Sequence, residues 1–223
     1  MLEEARMLET DRTMDTDSMV ERVAVRPGAE WDGTTLTAAE REAVAGHRGG
    51  VVWFTGLSGS GKTTVAQQLD RRLHGAGKRS FLLDGDVMRD GITKGLGFGR
   101  EDREENLRRF TEVAQLFAEA GVLALVSAIA PYEDARERAR LRIGPQRFVL
   151  VHVATPLSVC ETRDPKGLYK AARAGKIPEF TGISSPYEDP PVADVRLRPE
   201  DGDPHAQADM VWRVLERRGF FSL

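Results

Sequence analysis

The chain of 223 residues has one cysteine, Cys160. No disulfide framework can form within it, so its stability has to come from a packed core, which a chain of this length can build. No apolar run approaches the roughly 18 residues that a membrane span needs. The acidic N-terminus has no apolar stretch of the secretory kind. These absences lead us to expect a cytoplasmic protein without membrane attachment. Charge of one sign is also missing: 32 Lys and Arg stand against 35 Asp and Glu, a formal net charge of −3. No nucleic-acid surface is expected from that balance, and any anion site has to be local. His47, His74, His152 and His205 show no metal-ligand spacing and read as structural.

What is present is an ordinary composition for one α/β domain, 40% hydrophobic and 30% charged. Residues 1–22 read as a disordered tail, because Met1 to Val20 carry six acidic and two basic side chains with little apolar periodicity. Met7, Met14 and Met19 are alternative starts within it. Residues 23–50 form an N-terminal extension, with a short helix from Thr37 to about Ala45 opened by a Thr37/Glu40 capping box. The roughly 50 residues before the first strand are too few for another enzyme domain.

From residue 51 to 223 strands and helices alternate. Val51–Thr55 is a short apolar run ending at glycines, the pattern of a buried strand. Lys62–Leu73 is helical, with Val65, Leu69 and Leu73 on one face. Further strands are expected at Ser80–Leu83, Val122–Val126, Phe148–Val153 and Val192–Leu197. Helices are expected at Arg103–Ala120, Asp134–Arg142 and Pro204–Arg217. Glu133–Arg142 alternates in charge and reads as a solvated helix, and Cys160 as a packing residue. The pattern predicts an α/β fold of the P-loop NTPase type: a parallel sheet of about five strands flanked by helices. Residues 163–189 are too long and irregular for an ordinary connection and read as a lid.

Gly56-Leu57-Ser58-Gly59-Ser60-Gly61-Lys62-Thr63 matches G-x-x-x-x-G-K-[ST] in full, between a strand and a helix. The glycines let backbone N–H groups turn toward phosphate oxygens, and the helix that follows adds its positive N-terminus. Lys62 reaches the β- and γ-phosphates, and the Thr63 hydroxyl is suited to Mg²⁺. The loop, with Thr64 after it, gives ATP-type nucleotide binding but not the acceptor. GTPases, shikimate kinases, nucleoside kinases and sulfate-activating kinases all remain open on this motif.

Asp84-Gly85-Asp86 places two carboxylates just past the second strand, at the sheet edge where open α/β folds bind ligands. Asp86 is suited to take the proton of an attacking hydroxyl, and Asp84 to hold Mg²⁺ through water. The plainer reading is an Asp-Gly turn with Asp86 capping a helix. Arg89, three residues on, is suited to clamp a phosphate or sulfate.

At this point the sequence resembles the adenylylsulfate kinase family. Asp84-Gly85-Asp86, Arg89, Leu96-Gly97-Phe98, Glu101-Asp102-Arg103, Glu105-Asn106 and Arg108-Arg109 are similar to the series that follows the family's phosphate loop. Arg163-Asp164-Pro165-Lys166-Gly167-Leu168-Tyr169 and Phe180-Thr181-Gly182-Ile183 resemble its lid. The resemblance implies ATP with Mg²⁺, adenosine 5′-phosphosulfate as acceptor, and a homodimer. It implies that Lys62 and Asp86 are catalytic and that Arg163 meets ATP. Arg89, Arg103 and Asn106 would hold the phosphosulfate end, and Phe98 and Phe180 would sandwich the adenine. The Ile129 backbone would meet the sulfate, and Lys166 and Leu168 would contact the nucleotide. Without the resemblance, Arg103, Arg108 and Arg109 read as a solvated helix face, and Phe98 and Phe180 as loop anchors.

Departures are also visible. Many family members read Ile-Ser-Pro-Tyr-Arg where this chain reads Ile129-Ala130-Pro131-Tyr132-Glu133, so a phosphoserine at Ala130 is impossible here. Ala130, and Val87-Met88 after the aspartates, resemble the branch fused to ATP sulfurylase. Ala130, Val87 and Glu133 also keep open another hydroxyl acceptor, or a nucleotide sensor without catalysis.

Overall fold

The computed structural model describes residues 35–222. The expected tail and the extension up to residue 34 lie outside the described residues. Helix α1 (Ala38–Ala45) opens with the expected capping box: the Thr37 hydroxyl accepts from the Glu40 amide, and the Glu40 carboxylate accepts from the Thr37 amide. It belongs to the same compact unit as the rest, Leu36–Leu223, and its buried Glu42 accepts from the Gly49 amide and pairs with Arg147.

The sheet is built from β1 (Gly50–Thr55), β2 (Ser80–Asp84), β3 (Leu123–Ser127), β4 (Phe148–Val153) and β5 (Val195–Leu197), in the order β2-β3-β1-β4-β5. All neighbours are parallel. Strand β1 is central and buried at all six residues, as its unbroken apolar run demands. Alternation sends Val51 and Trp53 to one face and Val52 and Phe54 to the other.

On the first face lie α4 (Arg100–Glu119) and α5 (Glu133–Ile143), through Leu107, Phe110, Ala114, Ala135 and Ala139. On the second lie α2 (Lys62–Gly75) and α8 (Pro204–Arg217), through Val65, Leu69, Leu73, Val211 and Leu215. Short helices α3 (Gly85–Asp90), α6 (Leu157–Arg163) and α7 (Leu168–Arg173) sit at the C-terminal edge of the strands. A third apolar cluster packs the expected lid segment, with Cys160, Tyr169 and Phe180 buried among Leu57, Leu157, Leu168 and Ile183.

Two expectations need correction. The last strand runs only over Val195–Leu197, since Val192 is exposed. Helix α5 is not solvated throughout: Arg136 is 1% exposed, its guanidinium held by the main-chain carbonyls of Ala130, before the helix, and Glu188, far along the chain.

Leu125 on β3 is fully buried between β1 and β2, against the α2 face. Leu125→Ala should therefore lower stability by about 2–5 kcal/mol, read from the midpoint of urea unfolding with the slope unchanged.

Candidate active site

The loop after β1 is shaped from both sides. Gly56 has φ +147°, and a Cβ there would stand 2.5 Å from the Val153 carbonyl oxygen, so only glycine lets the loop leave the sheet. Side chains from the β4 end and the lid take up the loop's carbonyls. Thr155 Oγ1 donates to Ser60 O at 2.8 Å, Tyr169 Oη to Ser58 O at 2.9 Å and Arg163 Nη1 to Ser60 O at 3.4 Å. Sequence reasoning missed Thr155 and the role of Tyr169. Thr64 is exposed on the first turn of α2.

Lys62 is buried and donates to Leu57 O at 2.6 Å, with Ser60 Oγ at 3.5 Å. Burial pushes its ammonium down to about 8, against the pull of Asp84 and Asp86 nearby. Neighbouring Thr63 donates through Oγ1 to Asp84 Oδ2 at 2.8 Å and lies 2.9 Å from Ser127 Oγ. Ser127 was missed. Its signal was its place at the end of an apolar strand, and the register sets it opposite Asp84.

This set of oxygens fits a hard cation that arrives with nucleotide phosphates and keeps several waters, because it offers few protein ligands and all of them are oxygen. Among the described residues no group of three or more His, Cys, Asp or Glu side chains is arranged for a metal.

The other carboxylate oxygen of Asp84, Oδ1, accepts from the Asp86 amide at 2.9 Å, which caps α3. The cap is thus Asp84 and not Asp86. Asp86 is left to project from the first turn, 73% exposed, in contact with Lys166 of the lid.

On the far side of Asp86 stand the candidate acceptor residues. Arg89 Nη1 donates to Leu96 O at 3.1 Å and Gly97 O at 3.3 Å, and its guanidinium lies 4.3 Å from the Phe98 ring centroid. Arg103 is buried, not solvated. It donates to Phe98 O at 2.5 Å, Thr181 Oγ1 at 2.8 Å and Glu179 O at 2.6 Å. One side chain therefore ties together the two segments that carry Phe98 and Phe180. Burial lowers both guanidinium pKa values from their ordinary level.

Asn106 is buried, and its Oδ1 has no hydrogen-bond partner among the described residues, an acceptor left for a donor from elsewhere. Phe98 is 54% exposed, while Phe180 is buried edge-on to Tyr169 with ring centroids 5.0 Å apart. The Ile129 carbonyl faces Thr55, accepting its hydroxyl at 2.6 Å. Leu168 begins α7 and packs into the lid cluster. Arg108 and Arg109, by contrast, pair with Glu105 on the outside of α4.

A further cavity of about 620 Å³ opens between Leu57, the end of β4 and lid residues 182–187. His152 lines it, is almost fully buried, and has no partner for Nδ1 among the described residues.

Sheet order, loop and cation-suited hydroxyl together define a P-loop nucleotide-binding protein with the layout of a small-molecule kinase. The adenylylsulphate kinase family model matches residues 48–198. Adenylyl-sulfate kinase of Shewanella amazonensis is 51% identical over 79% of this chain and 89% of its own length. Adenylyl-sulfate kinase 3 of Arabidopsis thaliana is 48% identical over 85% and 93%. The APS kinase of Mycobacterium tuberculosis, solved in complex with AMPPNP and APS, superposes with a TM-score of 0.73 at 49% identity, covering 76% of this chain and 99% of that one. The chain belongs to the adenylylsulphate kinase family.

Burial holds the His152 imidazole down at about 4, against the attraction of Asp189 and with Arg196 and Arg136 nearby. The folded state therefore keeps it neutral while the unfolded chain takes a proton near 6.5. Stability from this group is intact above pH 6.5 and is lost as pH falls toward 4. Relative to His152→Gln, the wild type should lose at most about 3 kcal/mol across that window, measured by urea unfolding at pH 7 and pH 4.5.

Proposed function

We propose that the protein is an adenylyl-sulfate kinase: it transfers the γ-phosphate of ATP to the 3′-hydroxyl of adenosine 5′-phosphosulfate, giving 3′-phosphoadenylyl sulfate and ADP. The observation that carries this reading is the junction of two half-sites. The Thr63–Asp84 hydrogen bond of 2.8 Å fixes the phosphate loop to the segment that presents Asp86, and Arg89, Phe98, Arg103 and Asn106 stand beyond it.

In the proposed reaction Asp86 accepts the proton of the 3′-hydroxyl as its oxygen attacks the γ-phosphorus in line. The bond from that phosphorus to the β–γ bridging oxygen breaks, and ADP leaves. Lys62 shifts from the Leu57 carbonyl to the β- and γ-phosphate oxygens and meets charge with charge. Thr63 would hold Mg²⁺, with Asp84 reaching it through water; when bound, Mg²⁺ supplies charge neutralisation across the β- and γ-phosphates. Arg89, Arg103 and Asn106 orient the phosphosulfate end, and Phe98 and Phe180 flank the adenine. The Ile129 backbone, Lys166 and Leu168 complete the acceptor side, and Arg163 meets ATP. Lid residues 163–189 exclude water from the transfer.

We further infer a cytoplasmic homodimer. The exposed Phe81 ring stacked on Phe117, beside exposed Leu116, supports self-association.

A coupled assay of ADP release should show strong dependence on adenosine 5′-phosphosulfate. Asp86→Asn should lower kcat by about 10²–10⁴-fold with the KM for ATP little changed. ATP binding without stimulation by that acceptor would favour another hydroxyl substrate.

A further inference from the structure

The solvated look of α5 hides a buried cation at the seam between the acceptor loop and the returning lid. Arg136 spends four of its N–H groups there. Nη1 donates to Ala130 O at 2.6 Å and Nη2 to Glu188 O at 2.6 Å. Nε donates to Glu133 Oε2 at 3.0 Å, and Nη2 makes a second, short contact with the same oxygen.

Around this guanidinium the two segments are stitched directly. The Glu188 amide donates to Pro131 O at 2.8 Å, and Glu188 Oε2 accepts from the Glu133 amide at 2.7 Å. Tyr187 lies with its ring centroid 5.8 Å from the Arg136 guanidinium carbon. Its hydroxyl is 3.0 Å from Thr55 Oγ1. The single Thr55 proton goes to Ile129 O at 2.6 Å, so Tyr187 is the donor to Thr55. One continuous network therefore joins the last residue of β1, the turn at Ile129–Glu133 and lid residues 187–188.

The turn it holds is strained. Ala130 has φ +46°, a left-handed conformation that costs a non-glycine residue about 1–2 kcal/mol. Such a conformation persists where surrounding bonds over-determine it. Here the bonds are those to the Ala130 carbonyl from Arg136 and to the Ile129 carbonyl from Thr55. Glu133 is turned into this network through its carboxylate and its amide.

We propose that Arg136 is a positioning residue, fastening the Ile129–Ala130 turn to lid residues 187–188 so that the acceptor-binding backbone and the base of the lid move as one piece. Arg136 acts through the Ala130 and Glu188 carbonyls and the Glu133 carboxylate. A lysine cannot replace it, because a single ammonium cannot span the Ala130 carbonyl, the Glu188 carbonyl and the Glu133 carboxylate. The effect on turnover rests on the acceptor reading above; the effect on the lid does not.

The test compares the full chain with Arg136→Lys, Tyr187→Phe and Glu133→Gln, by steady-state kinetics and by amide hydrogen exchange of the acceptor-free protein with AMPPNP. For folded Arg136→Lys we expect an acceptor KM raised about tenfold or more, with the KM for ATP within about twofold. We also expect exchange at residues 187–189 to be faster by about tenfold and exchange in α2 to be unchanged. Tyr187→Phe, which removes one hydroxyl, should move the same two readouts in the same direction and stands in should Arg136→Lys not fold. Glu133→Gln keeps both carbonyl contacts and should change the acceptor KM by less than about threefold.

Unchanged exchange at 187–189 in Arg136→Lys and Tyr187→Phe overturns the proposal. So does an ATP KM that rises in step with the acceptor KM. A wild type that ignores adenosine 5′-phosphosulfate, with exchange at 187–189 still quickened by the variants, sinks the acceptor reading and supports the lid coupling.

Discussion

Everything at this site hangs from a strand that has nowhere to go but the middle of the sheet. Gly50–Thr55 has no exposed residue, and burying each of its large side chains contributes about 1.5–3 kcal/mol. Parallel neighbours on both sides then bring every strand end to one edge. Thr55 leads into the phosphate loop, Asp84 into the α3 turn, Ser127 into the Ile129–Ala130 turn and Val153 into Thr155. The chemistry needs those four ends within hydrogen-bond reach, and the register delivers it: Asp84 lies opposite Ser127, and Thr55 opposite His152. Switching the strand order would separate Thr63 from Asp84 whatever the motif said.

The cations fall into two groups by what accepts from them. On the outside of α4 and α5, Arg100, Arg108, Arg138 and Arg142 are paired with carboxylates, so their charge is already matched. Such exposed pairs add little stability. At the site, Lys62, Arg89 and Arg103 donate instead to carbonyls and hydroxyls. Neutral acceptors hold these side chains in place, and the nearest carboxylates, Asp84 and Asp86 beside Lys62 and Asp86 and Asp102 beside Arg89, act on them only from a distance. A chain with net charge −3 thereby gathers cationic side chains at the site where, in the proposed reaction, two polyanionic nucleotides would lie close together. The lowered pKa of Lys62 has desolvation as its leading cause, and an arriving phosphate would offset that burial.

The parts legible in the sequence were those fixed by local chain chemistry. The phosphate loop is a contiguous motif, β1 and β3 are unbroken apolar runs, and the Thr37 cap is a three-residue spacing. Site residues whose roles depend on register were not legible. Ser127 reads as the polar end of a strand until β2 pairs with β3. Thr155 and Tyr169 read as ordinary loop and helix residues until the lid folds onto the loop's carbonyls. Arg136 was misread outright. In Glu133–Ile143 seven of eleven residues are charged, and that charge density alone assigns the helix to water. Its acceptors, the Ala130 and Glu188 carbonyls, are supplied by tertiary structure 6 and 52 residues away.

Ala130 shows how these levels meet. The residue is 2% exposed, its φ is left-handed and its carbonyl is held by a buried guanidinium. A residue so enclosed has no room to take part in the transfer as a group carrier, and alanine has no atom with which to do it. Ala130 therefore cannot carry the phosphoryl group, and in the proposed reaction that group passes directly from one nucleotide to the other. That places the whole proton problem on a carboxylate at the sheet edge, and Asp84 is already committed twice, to Thr63 and to the α3 cap. Asp86 is the carboxylate left with its oxygens turned outward. Its contact with Lys166 joins the candidate base to the same lid whose far end Arg136 fastens. In the proposed reaction, closing the lid and setting the base would be one structural event, because a single segment carries both contacts.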